Sequence, residues 1–124
     1  MLEIGRKNAI RYRIRPEHSA SAVGSGDLEV LSTPYLLAYM ENAAKELVRL
    51  ELEDGKTTVG IDVKLEHLAP SKIGDELTVE CELKAINGRI LTLELTARDA
   101  DKIVGKATHK RCIVTAKKFM EKLQ

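Results

Sequence analysis

A chain of 124 residues, 44% hydrophobic and 31% charged, has the size of one domain, spanning 1–124, and leaves no room for a second core. At this length roughly two-thirds of the unfolded surface is buried on folding, so no disulfide framework is required. Its 20 Lys and Arg against 19 Asp and Glu leave a net charge of +1, which gives no electrostatic case for nucleic acid or an anionic membrane as partner.

Met1 to Arg6 contain no apolar run of the signal-peptide kind, and no stretch approaches the ~18 apolar residues of a membrane span. Cys81 and Cys112 stand far apart in strand-like segments, which predicts buried, reduced thiols and a cytoplasmic protein. Ile10, Tyr12 and Ile14 alternate with Arg11, Arg13 and Arg15, predicting a half-buried edge strand that Pro16 ends. Residues 17 to 27 read as a polar loop of the length that often covers a site. Thr33 to Val48 is one amphipathic helix, with Ser32 or Thr33 as its cap and Pro34 at its first position; Asp54-Gly55 turns the chain after it. Val59, Ile61, Val63, Leu65, His67 and Ala69 are then expected on one face of a strand. A second strand follows, with Leu77, Val79, Cys81, Leu83 and Ala85 inward. Asn87-Gly88 signals a two-residue hairpin, Leu91 to Ala97 return, and a last strand runs near 103 to 115 before a short terminal helix. The layout is strand, helix and an antiparallel meander of about four strands: an α+β domain whose sheet covers the helix and whose edges invite a second copy.

Two residues break this apolar plan. On a 3.6-residue period Glu41 shares a row with Leu37, Ala44 and Val48, and a carboxylate there must be protonated, paired or used. His67 lies in phase with Leu65 and Ala69. Each could be a satisfied core group, but if helix and sheet pack face to face the two can meet across one core or interface. A neutral imidazole can take a proton there, and a carboxylate can orient it or attack a carbonyl. Thr33 adds a hydroxyl at the helix mouth, with helix capping as its alternative use. Gly60, within a strand, marks a bulge or a close backbone approach, and its N–H could polarise a carbonyl oxygen. The three histidines share no metal-ligand spacing, and neither a phosphate-binding glycine loop nor a GxSxG elbow occurs.

From about Gly24 to Lys117 the chain resembles a hot-dog domain, and in particular the fluoroacetyl-CoA thioesterase-like group. The general signal is His67-Leu68-Ala69-Pro70, then Gly74-Asp75 and the strands of 76 to 115. The narrower match is Thr33 eight residues before Glu41, Gly60 seven before His67, and the late element Thr108-His109-Lys110-Arg111. The resemblance implies a curved antiparallel sheet wrapped around one long helix, pairing as a homodimer or higher oligomer. It implies Thr33, Glu41 and His67 as the catalytic set, with Gly60 and Arg111 binding substrate. The expected reaction is hydrolysis of an acyl-CoA, short-chain in character, to free acid and CoA, with no cofactor beyond the CoA of the substrate and no metal. One position departs from the fluoroacetate-specific type, which carries a gating phenylalanine six residues before its catalytic Thr; Asp27 stands there in this chain. The alternatives are a hot-dog module that holds acyl-CoA without cleaving it, and a hot-dog hydratase or dehydratase.

Overall fold

In the computed structural model, which describes residues 1–124, the chain runs β1 (Lys7–Arg13), a 3-10 turn (Pro16–His18), α1 (Ala20–Val23), α2 (Thr33–Arg49), β2 (Lys56–His67), β3 (Glu76–Asn87), β4 (Ile90–Asp99), β5 (Lys102–Thr115) and α3 (Ala116–Glu121). The strands form one antiparallel sheet in the order β1-β3-β4-β5-β2. Only β3, β4 and β5 make a meander of consecutive neighbours. β2 is not beside β3: residues 68–75 carry the chain across to the other side of the sheet, and β2 is left as a free edge. Hydrophobic alternation assigns a strand its two faces but not its neighbours, so this crossing had no local signature.

α2 is covered by the sheet because its buried stripe is continuous: Leu36, Tyr39, Met40, Ala43, Ala44, Leu47 and Val48. These residues pack with Leu77, Val79, Cys81, Leu83, Leu91, Leu93 and Leu95 in one core. Gly105 on β5 permits close approach, since a Cβ there would lie 2.9 Å from Leu36 Cδ2 and 3.3 Å from Met40 Cε. The stripe is centred one position away from the expected row. Leu37 is half-buried and the Glu41 side chain is 42% exposed, so Glu41 stands at the edge of the helix–sheet contact.

Other details also differ from the sequence reading. β1 begins and ends earlier than 10 to 15, and Ile14 is buried beyond its end with its N–H donated to Asp75 O. The 17 to 27 segment contains the end of the 3-10 turn and α1, held by Ala20 N–H to Val30 O. The hairpin after β3 is real but shifted by one residue: Asn87 pairs with Ile90, and the turn residues are Gly88 (φ +61°) and Arg89. Positive φ at the first turn residue alone fits a II′ turn. A register shift between Leu83 and Ala85 turns Ala85 outward, and another between Gly60 and Asp62 leaves Ile61 as an extra residue in β2. Side chains directly opposite each other share a face. Pairing with inward β5 residues therefore puts Thr58 and Gly60 inward before the bulge, and Val63, Leu65 and His67 inward after it. Val59 does not share the face of Val63, and Ile61 is 51% exposed.

Candidate active site

Ser32, not Thr33, caps α2. The Ser32 hydroxyl accepts from Tyr35 N–H (3.2 Å) and donates to His18 O (2.9 Å), while Ser32 N–H donates to the same carbonyl (3.1 Å). The His18 ring is held in turn, stacked on Tyr35 and 2.6 Å from the Tyr39 hydroxyl. With the cap supplied by its neighbour, the Thr33 hydroxyl is free for other work. It lies 2.8 Å from His67 Nδ1. His67 Nε2 is buried without a hydrogen-bond partner. Burial pushes the His67 ring below the usual imidazole range, and the Ala69 backbone contact works the other way. The pair borders a cleft of about 340 Å³ whose walls include Ala20, Val30, Leu68 and Pro70.

Glu41 is not in this group. One helix rises 1.5 Å per residue, so eight residues carry Glu41 about 12 Å along α2 from Thr33. There it meets the other expected residues. A Cβ built on Gly60 would lie 2.6 Å from Glu41 Oε2, so any larger residue at this point of β2 would push the carboxylate from its present position. Arg111, opposite Gly60 in the β2–β5 register, brings Nη1 to 3.8 Å from the same oxygen. The guanidinium is buried, its Nε donating to Thr58 Oγ1 (2.8 Å) and Nη2 to Thr58 O (3.0 Å). Burial lowers the Arg111 pKa and Glu41 opposes that, yet a guanidinium stays charged at neutral pH.

Thr58 and His109, the latter met above only as part of the late element, complete this cluster, and neither was assigned a role from sequence. Their signal was present in β5, where the inward positions Gly105, Ala107, His109 and Arg111 change from small to polar along one face. The chain therefore carries two polar groups on the inner side of the sheet: Thr33 with His67 at one end of β2, and Glu41 with Gly60, Arg111, His109 and Thr58 near its bulge. No cluster of three or more His, Cys, Asp or Glu side chains is arranged to hold a metal ion. Cys81 and Cys112 are both free thiols.

The sequence profile of the fluoroacetyl-CoA-specific thioesterase family, FlK, matches residues 14–117. The chain belongs to this family. It is thus a thioester hydrolase. The fluoroacetyl-CoA thioesterase of Streptantibioticus cattleyicolor is 30% identical over 96 residues, which are 77% of this chain and 69% of that protein. The crystal structure of the fluoroacetyl-CoA thioesterase FlK superposes with a TM-score of 0.93 at 24% identity, covering 99% of this chain and 96% of the other. A thioesterase-superfamily member from Thermus thermophilus gives 0.89 at 20% identity over 98% and 90%. At those identities the structural likeness establishes the hot-dog fold. No helix is long and apolar enough to cross a membrane.

Proposed function

We propose that this protein hydrolyses a short-chain acyl-CoA to the free acid and CoA at a site made by Thr33, Glu41 and His67, with Gly60 and Arg111 contacting substrate. The observation that carries the reading is the 2.8 Å approach of Thr33 Oγ1 to His67 Nδ1 beside an open cleft. That is the distance at which an imidazole takes a proton from a hydroxyl. Burial favours the neutral ring, the form a base requires. The two-carbon acyl group in the name of the Streptantibioticus cattleyicolor enzyme supports a short acyl chain. Asp27, standing where the fluoroacetate-specific type has its gating phenylalanine, argues against fluoroacetyl selectivity.

The two polar groups are brought together by a homodimer. Antiparallel pairing of β2 with the β2 of a second copy runs the His67 end of one strand past the Gly60 end of the other. Glu41 of one copy then complements Thr33 and His67 of its neighbour. Its carboxylate steadies the imidazolium formed when His67 takes a proton, while the N–H near Gly60 polarises the thioester oxygen. Water passes a proton through the Thr33 hydroxyl to His67 and adds its oxygen to the carbonyl carbon; the C–S bond then breaks, and CoA leaves as the thiol with the proton returned by the imidazolium. The free thiols of Cys81 and Cys112 support a reducing, cytoplasmic setting.

The test is free-thiol release from a panel of short, branched, aromatic and long acyl-CoAs, with Glu41→Gln in parallel. We expect turnover on the short members and a loss of about a hundredfold or more in the variant, the scale of general acid–base groups. Unchanged turnover in Glu41→Gln would reject the site. Binding without release across the panel would point to a holding module, and water addition to an enoyl-CoA to a hydratase.

A further inference from the structure

His109 is 2% exposed, among the most enclosed polar side chains of the molecule. Both ring nitrogens are engaged. Nδ1 lies 2.8 Å from Asp62 O, a carbonyl that can only accept, so Nδ1 carries the proton. Nε2 lies 3.1 Å from Arg111 Nη1, which can only donate, so Nε2 is the acceptor. One neutral tautomer satisfies both contacts. Asp62 is the first residue after the β2 bulge, and the ring's Cε1 lies 3.2 Å from where a Gly60 Cβ would be. Nη1 of Arg111 is the nitrogen that faces Glu41.

We infer that His109 is a positioning residue whose ring aims the Arg111 guanidinium at Glu41 and clamps the β2 bulge that presents Gly60. The inference rests on the catalytic reading above and assigns a role to a residue outside it. The guanidinium is held on one side by Thr58, through Nε and Nη2. Without the acceptor at His109, the rigid guanidinium plane would be held along its Nε–Nη2 edge alone and could tilt about that edge, carrying Nη1 away from the carboxylate. The same ring fixes the backbone on the other side of the site, so two substrate-facing groups depend on one imidazole. The charged groups around it are Arg111 from β5, Glu41 from α2 and Asp62 from β2, while β4 opposes it with apolar Leu93. Protonating Nε2 would abolish the acceptor and set two cations side by side. Burial resists that step first, with the Asp62 carbonyl contact acting in the opposite sense and Arg111 reinforcing the resistance.

Two near-isosteric variants separate the contacts. His109→Asn keeps an N–H near the Nδ1 position for Asp62 O and removes the acceptor for Arg111. His109→Gln restores an acceptor near the Nε2 position and gives up the donor to Asp62 O. We expect His109→Asn to lower kcat by about tenfold to a hundredfold, as displacement of a reacting geometry does, with KM within about twofold. His109→Gln should retain more kcat than His109→Asn, and both should lose one proton from the acid limb of kcat. Nitrogen NMR of the free protein should show His109 neutral with its proton on Nδ1, a readout that stands whether or not any tested thioester is cleaved. Wild-type kcat and acid limb in both variants, a fall in melting temperature alone, or a proton found on Nε2 would overturn the assignment.

Discussion

At the scale of single residues, His67 and Gly60 make opposite demands on the chain. His67 is useful because it is hard to protonate. Burial holds its pKa, like that of His109, below the ordinary imidazole value of ~6.5. In the window between the lowered values and ~6.5 the unfolded chain binds more protons than the folded one, so folded stability rises with pH. Urea midpoints should therefore climb as the pH rises from below the ordinary imidazole value of ~6.5 to neutrality, and the climb should shrink in His67→Asn. A climb of the same size in the variant would remove His67 from the account. Gly60 is needed because of what it lacks. Gly60→Ala would drive a methyl into the Glu41 carboxylate, 2.6 Å away. With Gly60 exposed, the fold should tolerate the change while thiol release falls at least about tenfold, the order expected when a catalytic group is misplaced. Full activity in that variant would mean that Glu41 does not work from this position. Thr33, Glu41, His67, Gly60 and Arg111 stood out in the sequence as departures from the apolar plan or through the resemblance, and the structure sets Thr33 beside His67 and Glu41 beside Gly60 and Arg111. The burial of Glu41 was not legible in the sequence. A helical period fixes an angle around the axis, and the depth of a residue at the stripe's margin depends on how far the sheet extends over it.

Among the elements, α2 shows how a cap can serve a site. Ser32 ends the helix and also ties the residue before Thr33 to the His18 carbonyl, so Thr33 leaves the loop at a fixed angle. Ser32→Ala should cost about 1 kcal/mol of stability, the usual value of a cap. It should lower kcat more than that loss of stability implies, because the loop is released beside Thr33. Thermal melts and turnover measured together decide the matter, and a stability loss with unchanged kcat would leave Ser32 a cap alone. The helix and strands were readable because their patterns are long and consistent. The turn after β3 was misplaced by one residue because Gly88 can serve either I′ or II′ geometry, and the two differ in which residues flank it. The bulges left one trace, a glycine in a strand. Ile61 itself, apolar and β-branched, reads as an ordinary inward strand residue.

For the whole molecule, the free β2 edge matters most. It is 12 residues long, unpaired on one side, and exposes Ile61 at 51%. A lysine on such an edge opposes strand addition. On the proposed β2–β2 homodimer, Ile61→Lys should keep the monomer fold and prevent pairing, and thiol release should disappear with it. Sedimentation and turnover on the same sample test this; an active monomer would mean that one chain completes its own site. The α+β class was legible from the order of periodic segments and the hot-dog fold from the resemblance, whereas the route of residues 68–75 across the sheet was not, because strand pairing depends on contacts distant in sequence. The bulge at Ile61 has a further consequence for how this chain can vary. It sets Gly60 and His67 inward together, an arrangement that an unbroken alternation over an odd spacing of seven forbids. Removing that extra residue would restore plain alternation with Gly60 and His67 both still inward, and would take away the bend and added twist that the bulge gives β2. Length in β2 is therefore tied to the bulge: a single deletion is absorbed by its loss, whereas a single insertion between Gly60 and His67 turns one of them outward unless the strand takes up a second extra residue.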